Sequence, residues 1–230
     1  MKVSILFSGG KDSSLAALML SKFFDLELIT CSFDILSNWK CAEEVAKKLK
    51  FSFDGLRTSS FKVLKLEKEI ILEAAKRTVE DGFPNNGIKY IHQKALEKVA
   101  DYFQIIADGV RRDDQVPVLS CSEVRRLEDK FNVHYLQPLM GYSRKTIDLL
   151  VKRYFTIREY KGGAFTGAEY EFELREIIRR NYSSRLINKI FPKNHTHSMV
   201  INVNSVRKNG ALTSPFLNKC FFSSRRNGAL

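Results

Sequence analysis

Residues 8–13 read SGGKDS, which sets two glycines, a cation, a carboxylate and two hydroxyls in six consecutive positions. Glycines let a backbone approach a ligand closely, and the first N–H groups of a helix, with its dipole, favour an anion. Lys11 adds a point positive charge to that arrangement. A second group of charges lies in ADGVRRDDQ (107–115), where Asp113 and Asp114 adjoin. Such carboxylates suit a hard cation like Mg2+, which prefers oxygen ligands. They also suit capping of a following helix, and the two roles are compatible. The chemistry indicated is the handling of phosphate groups.

Strands and helices must alternate to bring these stretches together. Ser4–Phe7 is a short apolar run read as a buried parallel strand, and Leu15, Leu18 and Met19 predict a helix starting near Asp12 or Ser13. A second strand is predicted over Leu26–Phe33, a helix over Trp39–Leu49, a third strand over 51–57 and a long helix over 61–79. The stretch EDGFPNNGI (80–88) is rich in turn residues and reads as a loop. A helix over Ile88–Tyr102, a strand over 103–109, a helix near 120–130, a strand over 134–139 and a helix over 143–153 complete the pattern. Alternation of this kind implies an α/β fold, a doubly wound parallel sheet with helices on both faces. Its ligand would lie beyond the carboxyl ends of the strands, where both charged stretches fall.

The opening loop does not match the nucleoside-triphosphatase pattern G-x-x-x-x-G-K-[ST], nor the dinucleotide pattern G-x-G-x-x-G. Ser8–Ser13 instead resembles the S-G-G-x-D-S signature of the PP-loop superfamily, the N-type ATP pyrophosphatases, whose Rossmann-like domain is of the adenine nucleotide alpha hydrolase type. These enzymes split ATP between its α and β phosphates, giving an adenylylated substrate and pyrophosphate. The stretch 107–115 resembles the TGHHxDDQ-like segment of tRNA-lysidine synthetases and tRNA-thiolation enzymes: Gly109, Asp113, Asp114 and Gln115 match, while Val110 and Arg111 replace histidine-type residues. QPLMGYSRKTIDLLVKRY (137–154) resembles the segment that follows in those families, with Arg144 a candidate phosphate contact. The resemblance covers residues 1–155 and is closest to the branch acting on tRNA, as an uncharacterised member of archaeal type. It implies ATP and Mg2+ as cofactors. Ser8, Gly9, Gly10, Lys11, Asp12, Ser13, Ser32 and Gly109 would contact the nucleotide. Lys11, Asp12, Asp113 and Asp114 would be catalytic, and Asp12, Asp113 and Asp114 would share the metal.

One departure bears on the chemistry. Where thiolation enzymes carry a C-x-x-C pair before the helix at Ile88, this chain has Pro84-Asn85-Asn86-Gly87. Cys31, Cys41, Cys121 and Cys220 are scattered, so neither a zinc site nor an iron–sulfur cluster is predicted, and reduced thiols in a cytoplasm are expected. Sulfur transfer would have to use Cys121, Cys31 or an external donor such as a sulfur-carrier protein; amine ligation would need ammonia or another amine.

The chain of 230 residues carries a net charge of +12, unevenly spread. Residues 141–230 hold 17 Lys and Arg against 6 Asp and Glu, whereas residues 1–140 hold 21 against 20. An ATP-binding domain over 1–155 and a basic C-terminal extension over 156–230 are therefore expected, the latter meeting a polyanion such as tRNA or presenting a merely solvated basic face. Arg175, Arg179, Arg180 and Arg185, on the helix predicted within 161–182 and just after it, are the candidate RNA contacts. His195 and His197 would share one face of a strand, a spacing known from metal sites. The hexapeptide RKNGAL (207–212) recurs as RRNGAL (225–230), too little for a repeat architecture. No stretch reaches the length of a membrane span, and the number of subunits, a dimer among the options, is left open.

Three functions fit these residues: an ATP-dependent adenylating enzyme acting on a tRNA base, an adenylating amide ligase acting on a small metabolite, and a non-catalytic regulator that binds adenine nucleotides.

Overall fold

Five apolar runs, β1 (Lys2–Leu6), β2 (Asp25–Ser32), β3 (Thr58–Lys65), β4 (Ile105–Ala107) and β5 (His134–Leu136), pair into one sheet in the computed structural model of the chain. Their order is β3-β2-β1-β4-β5 and every neighbouring pair is parallel. The described residues are 1–52, 58–114, 116, 118–161, 167–192 and 196–204. Parallel neighbours require crossovers, supplied by α1 (Lys11–Leu20), α2 (Trp39–Ser52), α3 (Lys68–Asp81), α4 (Asn85–Ala100) and α5 (Cys121–Phe131); α6 (Arg144–Tyr154) follows β5. Two apolar clusters fill the two faces. Leu15, Leu18, Val45, Leu49, Ile147 and Val151 join Ile5 and Leu28 on one, while Ile71, Ile91, Leu96 and Leu127 join Ile29 and Ile106 on the other. The expected doubly wound α/β sheet is the observed one.

The chain winds outward in opposite directions from β1, through β2 on one side and β4 on the other. The loops leaving β1 and β4 therefore lie side by side where the winding reverses, at the carboxyl ends of the strands, the place where sheets of this kind bind ligands.

Residues beyond 154 close over both faces. β6 (Phe155–Lys161) and β7 (Thr196–Val203) form an antiparallel pair, with α7 (Tyr170–Asn181) and α8 (Ser184–Ile190) between them. Leu174, Ile177 and Ile178 of α7 enter the cluster under α3 and α4, whereas Phe155, Val200 and Val203 enter the one under α1 and α2. The segment predicted as an extension shares its core with the sheet.

Several elements differ from the sequence expectation. Residues 61–65 belong to β3, not to the following helix, because Phe61 to Lys65 pair with Leu28 to Ser32. The expected third strand at 51–57 begins as the last turn of α2, and 53–57 lie outside the described residues. The loop expected over 80–88 shrinks to three residues. Gly82 takes a left-handed φ of 67° to end α3, and α4 starts at Asn85. Gly87 sits inside that helix because a Cβ there would meet Thr78 Oγ1 at 2.1 Å, so its absence lets α3 and α4 touch. Gln115, His195 and both hexapeptides fall outside the described residues.

Candidate functional site

The turn from β1 into α1 is built to stay open. Gly9 adopts a φ of +75°, which a side chain would strain, and Gly10 precedes the first turn of α1 in extended conformation. Ser13 Oγ accepts from Ser8 N–H at 3.3 Å and donates to the Gly10 carbonyl at 3.2 Å, so the loop braces itself. Ser120 and Ser143 cap α5 and α6 through their hydroxyls, whereas among the described residues α1, like α3, α4 and α7, has no side-chain cap from its N-cap residue. Its first N–H groups are left for another acceptor. Gly109 follows β4 and lies against this turn, where a Cβ would come within 2.8 Å of the Ser13 N and Cα atoms. The loops after β1 and β4 thus meet at Ser13 and Gly109.

Across that contact three aspartates gather around Arg111. Its guanidinium stands 2.6 Å from Asp114, 3.3 Å from Asp12 and 3.9 Å from Asp113. Burial pushes the Asp12 carboxyl up to about 6, with Arg111 and Lys11 opposing the rise. Asp12 Oδ1 and Arg111 Nη1 are buried and take no hydrogen bond among the described residues. Lys11 reaches Asp148 on α6 at 2.6 Å, and Asp113 accepts the Arg144 N–H at 3.0 Å from an exposed position. Among the described residues no group of three or more His, Cys, Asp or Glu is arranged to hold a metal. The three aspartates expected to share Mg2+ surround the Arg111 guanidinium.

Behind this cluster lies a network the sequence reading missed. Asp108, 1% exposed, accepts from the Tyr135 hydroxyl at 2.5 Å and from Val110 N–H at 3.1 Å, and its Oδ2 lies 2.8 Å from His92 Nε2. Gln137 donates to the Tyr135 oxygen at 3.1 Å. Burial, then the Asp108 charge, raises the Tyr135 hydroxyl pKa, keeping it a donor. His92, Tyr135 and Gln137 border a cavity of about 120 Å3 that Asp114 also lines. The only sequence signal was that Asp108 ends a strand within a stretch already singled out.

Three acidic residues of the C-terminal segment complete the surroundings. Glu173 of α7 accepts from Ser32 Oγ at 3.2 Å and from the Phe33 and Ile35 N–H groups, fixing the end of β2. Ser32 therefore spends its hydroxyl on Glu173. His197 of β7, 5% exposed, bonds Glu169 through Nδ1 and faces Glu171 at 3.8 Å through Nε2. Burial alone would lower its pKa, but the two carboxylates lift it to about 9. Burial would raise Glu171, yet His197 and Arg175 bring it down to about 2. This group touches the loop: Val200 N–H donates to the Gly9 carbonyl at 3.1 Å, and Ser198 O lies 3.3 Å from where a Gly10 Cβ would stand.

The candidate RNA contacts fare differently from the loop. Arg175 is committed to Glu171 at 2.5 Å and stacks over Phe191, while Arg179 and Arg180 share Glu176. Arg185 is exposed on α8. Helix α7 presents ion pairs where a free basic ridge was expected. Of the thiols, Cys31 is buried and pushed up to about 12, whereas Cys121 is exposed at the first turn of α5. Among the described residues no helix is long and apolar enough to cross a membrane.

A protein of Methanocaldococcus jannaschii, described only as uncharacterised, is 41% identical over 202 residues, which span 87% of this chain and 96% of that protein. A crystal structure from the same organism, described as a predicted subunit of tRNA methyltransferase, is 40% identical with a TM-score of 0.77, covering 89% of this chain and 98% of that one. The model of DUF7411, a family of unknown function, matches residues 1–202, and the chain belongs to that family.

Proposed function

We propose that the chain is an ATP-dependent adenylating enzyme of the PP-loop kind that modifies tRNA. The observation that carries this reading is the start of α1, lined by Gly9, Gly10 and Lys11, with the half-buried Asp12–Arg111 pair beside it where the loops after β1 and β4 meet. In the proposed reaction a substrate oxygen or nitrogen attacks the α-phosphorus of ATP. The bond from the α-phosphorus to the bridging oxygen breaks, and pyrophosphate leaves with the electron pair. Lys11 and the N–H groups of Lys11 to Ser13 hold the leaving oxygens, where charge develops in the transition state. Arg111, whose Nη1 is left over among the described residues, is the second cation within reach. Asp12, whose Oδ1 is without a hydrogen bond among the described residues, is the residue that would hold Mg2+, which would neutralise charge on the leaving group. The tRNA substrate is supported by the M. jannaschii structure described as a predicted tRNA methyltransferase subunit.

A second reading has its own observation. Lys11 is latched to Asp148 and Arg111 faces three carboxylates, which suits a subunit that binds a nucleotide without cleaving it. Release of labelled products from ATP, with and without bulk tRNA, separates the two. AMP and pyrophosphate in equal amounts, lost in Gly10→Val, are expected of the enzyme. Nucleotide binding without turnover selects the regulator, and release of ADP and phosphate sinks both.

A further inference from the structure

An N–H or O–H group that attacks the α-phosphorus of ATP must lose its proton, and the cations beside the loop, Lys11 and Arg111, carry donors only. The Asp108 network holds a group able to accept it. Asp108 follows β4, and Gly109, the next residue, lies against Ser13 of the opening loop. One oxygen of its carboxylate meets the Tyr135 hydroxyl at 2.5 Å and His92 Nε2 at 2.8 Å, and the other accepts the Val110 N–H at 3.1 Å. A carboxylate only accepts, so these partners assign the His92 N–H to Nε2. In the neutral imidazole Nδ1 then holds a bare lone pair, and it takes no hydrogen bond among the described residues.

The same imidazole borders the cavity of about 120 Å3 and stays 20% exposed. Ile88, Val110, Leu119 and Tyr170 give that cavity apolar walls, and the Tyr170 ring stands 6.3 Å from the His92 ring. Gln137 and Asp114 place an amide and a carboxylate on its border. A protein cavity of about 150 Å3 takes a benzene molecule, so this one suits a single small ring with polar atoms at its edge. Asp114 also pairs with Arg111, which reaches Asp12 at 3.3 Å, so a chain of ion pairs links the cavity to the loop.

We infer that His92, oriented by Asp108, is the general base of the proposed reaction and acts on a single-ring acceptor held in this cavity. Nδ1 takes the proton of a ring N–H or hydroxyl, and the electrons of the broken bond move to the atom that attacks the α-phosphorus. Pyrophosphate leaves with the pair from the bridging bond, while the proton stays on the imidazolium beside the Asp108 charge. The inference rests on the adenylating reading above and adds the residue that activates the acceptor.

The test uses full-length protein, ATP and bulk tRNA, with pyrophosphate release read in a single turnover. His92→Gln, whose amide N–H can still hold Asp108, should melt near wild type and bind ATP unchanged. Its pyrophosphate release should nevertheless be at least about 100-fold slower. His92→Gly should be as slow, and should regain rate with added imidazole until the vacated space is filled. Nitrogen NMR of ring-labelled histidine, assigned with His92→Gln, should show the His92 proton on Nε2 and Nδ1 bare, a pattern that becomes mixed in Asp108→Asn. A proton on Nδ1 in the wild type overturns the inference. Slow release in His92→Gln that follows a lost melting temperature or lost ATP affinity, with no imidazole rescue of His92→Gly, marks His92 as a fastener and also overturns it. Wild-type protein that releases no pyrophosphate with tRNA removes the adenylating reading and this base together, whereas a wild-type rate in His92→Gln removes the base alone.

Discussion

Arg111 and His197 are each enclosed by carboxylates beside the same loop, yet their surroundings close differently. His197 and Arg175 face Glu169 and Glu171, two cations against two anions, with every charge near a partner. Arg111 faces Asp12, Asp113 and Asp114 while Lys11 is held by Asp148, and Asp12 keeps an oxygen without a hydrogen bond among the described residues. The two histories of burial show it. Glu171 is driven down to about 2 because its partners outweigh burial, whereas Asp12 rises to about 6 because its partners do not. A balanced cluster fastens strands and helices together. An acid-rich one, half-satisfied, is suited to an incoming cation or a polar ligand.

The contrast can be broken experimentally. The largest effect is expected at Gly109, where a Cβ would press on the Ser13 and Asp12 backbones from 2.8 to 2.9 Å. Gly109→Ala should abolish AMP release and lower stability by about 1–3 kcal/mol, read by turnover and urea melts. Asp12→Asn should also abolish turnover, but with an unchanged or higher melting temperature at pH 8, because it removes a charge that burial disfavours. A marked loss of stability in that variant would place Asp12 among the fasteners. His197→Gln should do the reverse, costing roughly 1–3 kcal/mol by taking a charged partner from buried Glu171, which keeps Arg175, and from half-buried Glu169, while the folded fraction still binds ATP.

Acidity sharpens the same point with a smaller effect. The folded-state pKa of His197 is raised, so its contribution is fully present below the unfolded value of about 6.5 and is lost as pH rises through about 9. Wild-type stability should therefore decline across that window by an amount missing from His197→Gln. Smallest of all is Glu176→Gln, which frees Arg179 and Arg180 at the surface and should cost less than about 1 kcal/mol.

Legibility in the sequence followed the range of the interactions. SGGKDS could be read because its six residues act on one another and on one helix end. The parallel sheet could be read because strands and helices alternate in order. Residues 61–66 misled because a short apolar run fits either period, and pairing with β2 decides it. The Asp108–His92–Tyr135 network could not be assembled from the sequence, since its members come from the residue after β4, from α4 and from β5 and meet only after the sheet forms. The arginines of α7 were visible as charges, but their partners Glu171 and Glu176 at helical spacing were not weighed against them. Charge counts a surface only after neighbouring acids are subtracted.

The hydrogen bond from Val200 N–H to the Gly9 carbonyl also sets a timetable for biosynthesis. A ribosome delivers the loop within the first dozen residues, but the strand that braces it emerges almost two hundred residues later. Contacts of such sequence separation form late and slowly. A nascent chain halted near residue 155 would have its glycine turn but lack β7, α7 and the Glu173 clasp on β2, leaving Ile29, Leu28 and their neighbours partly uncovered. The loop would thus stay unbraced until β7 has been made.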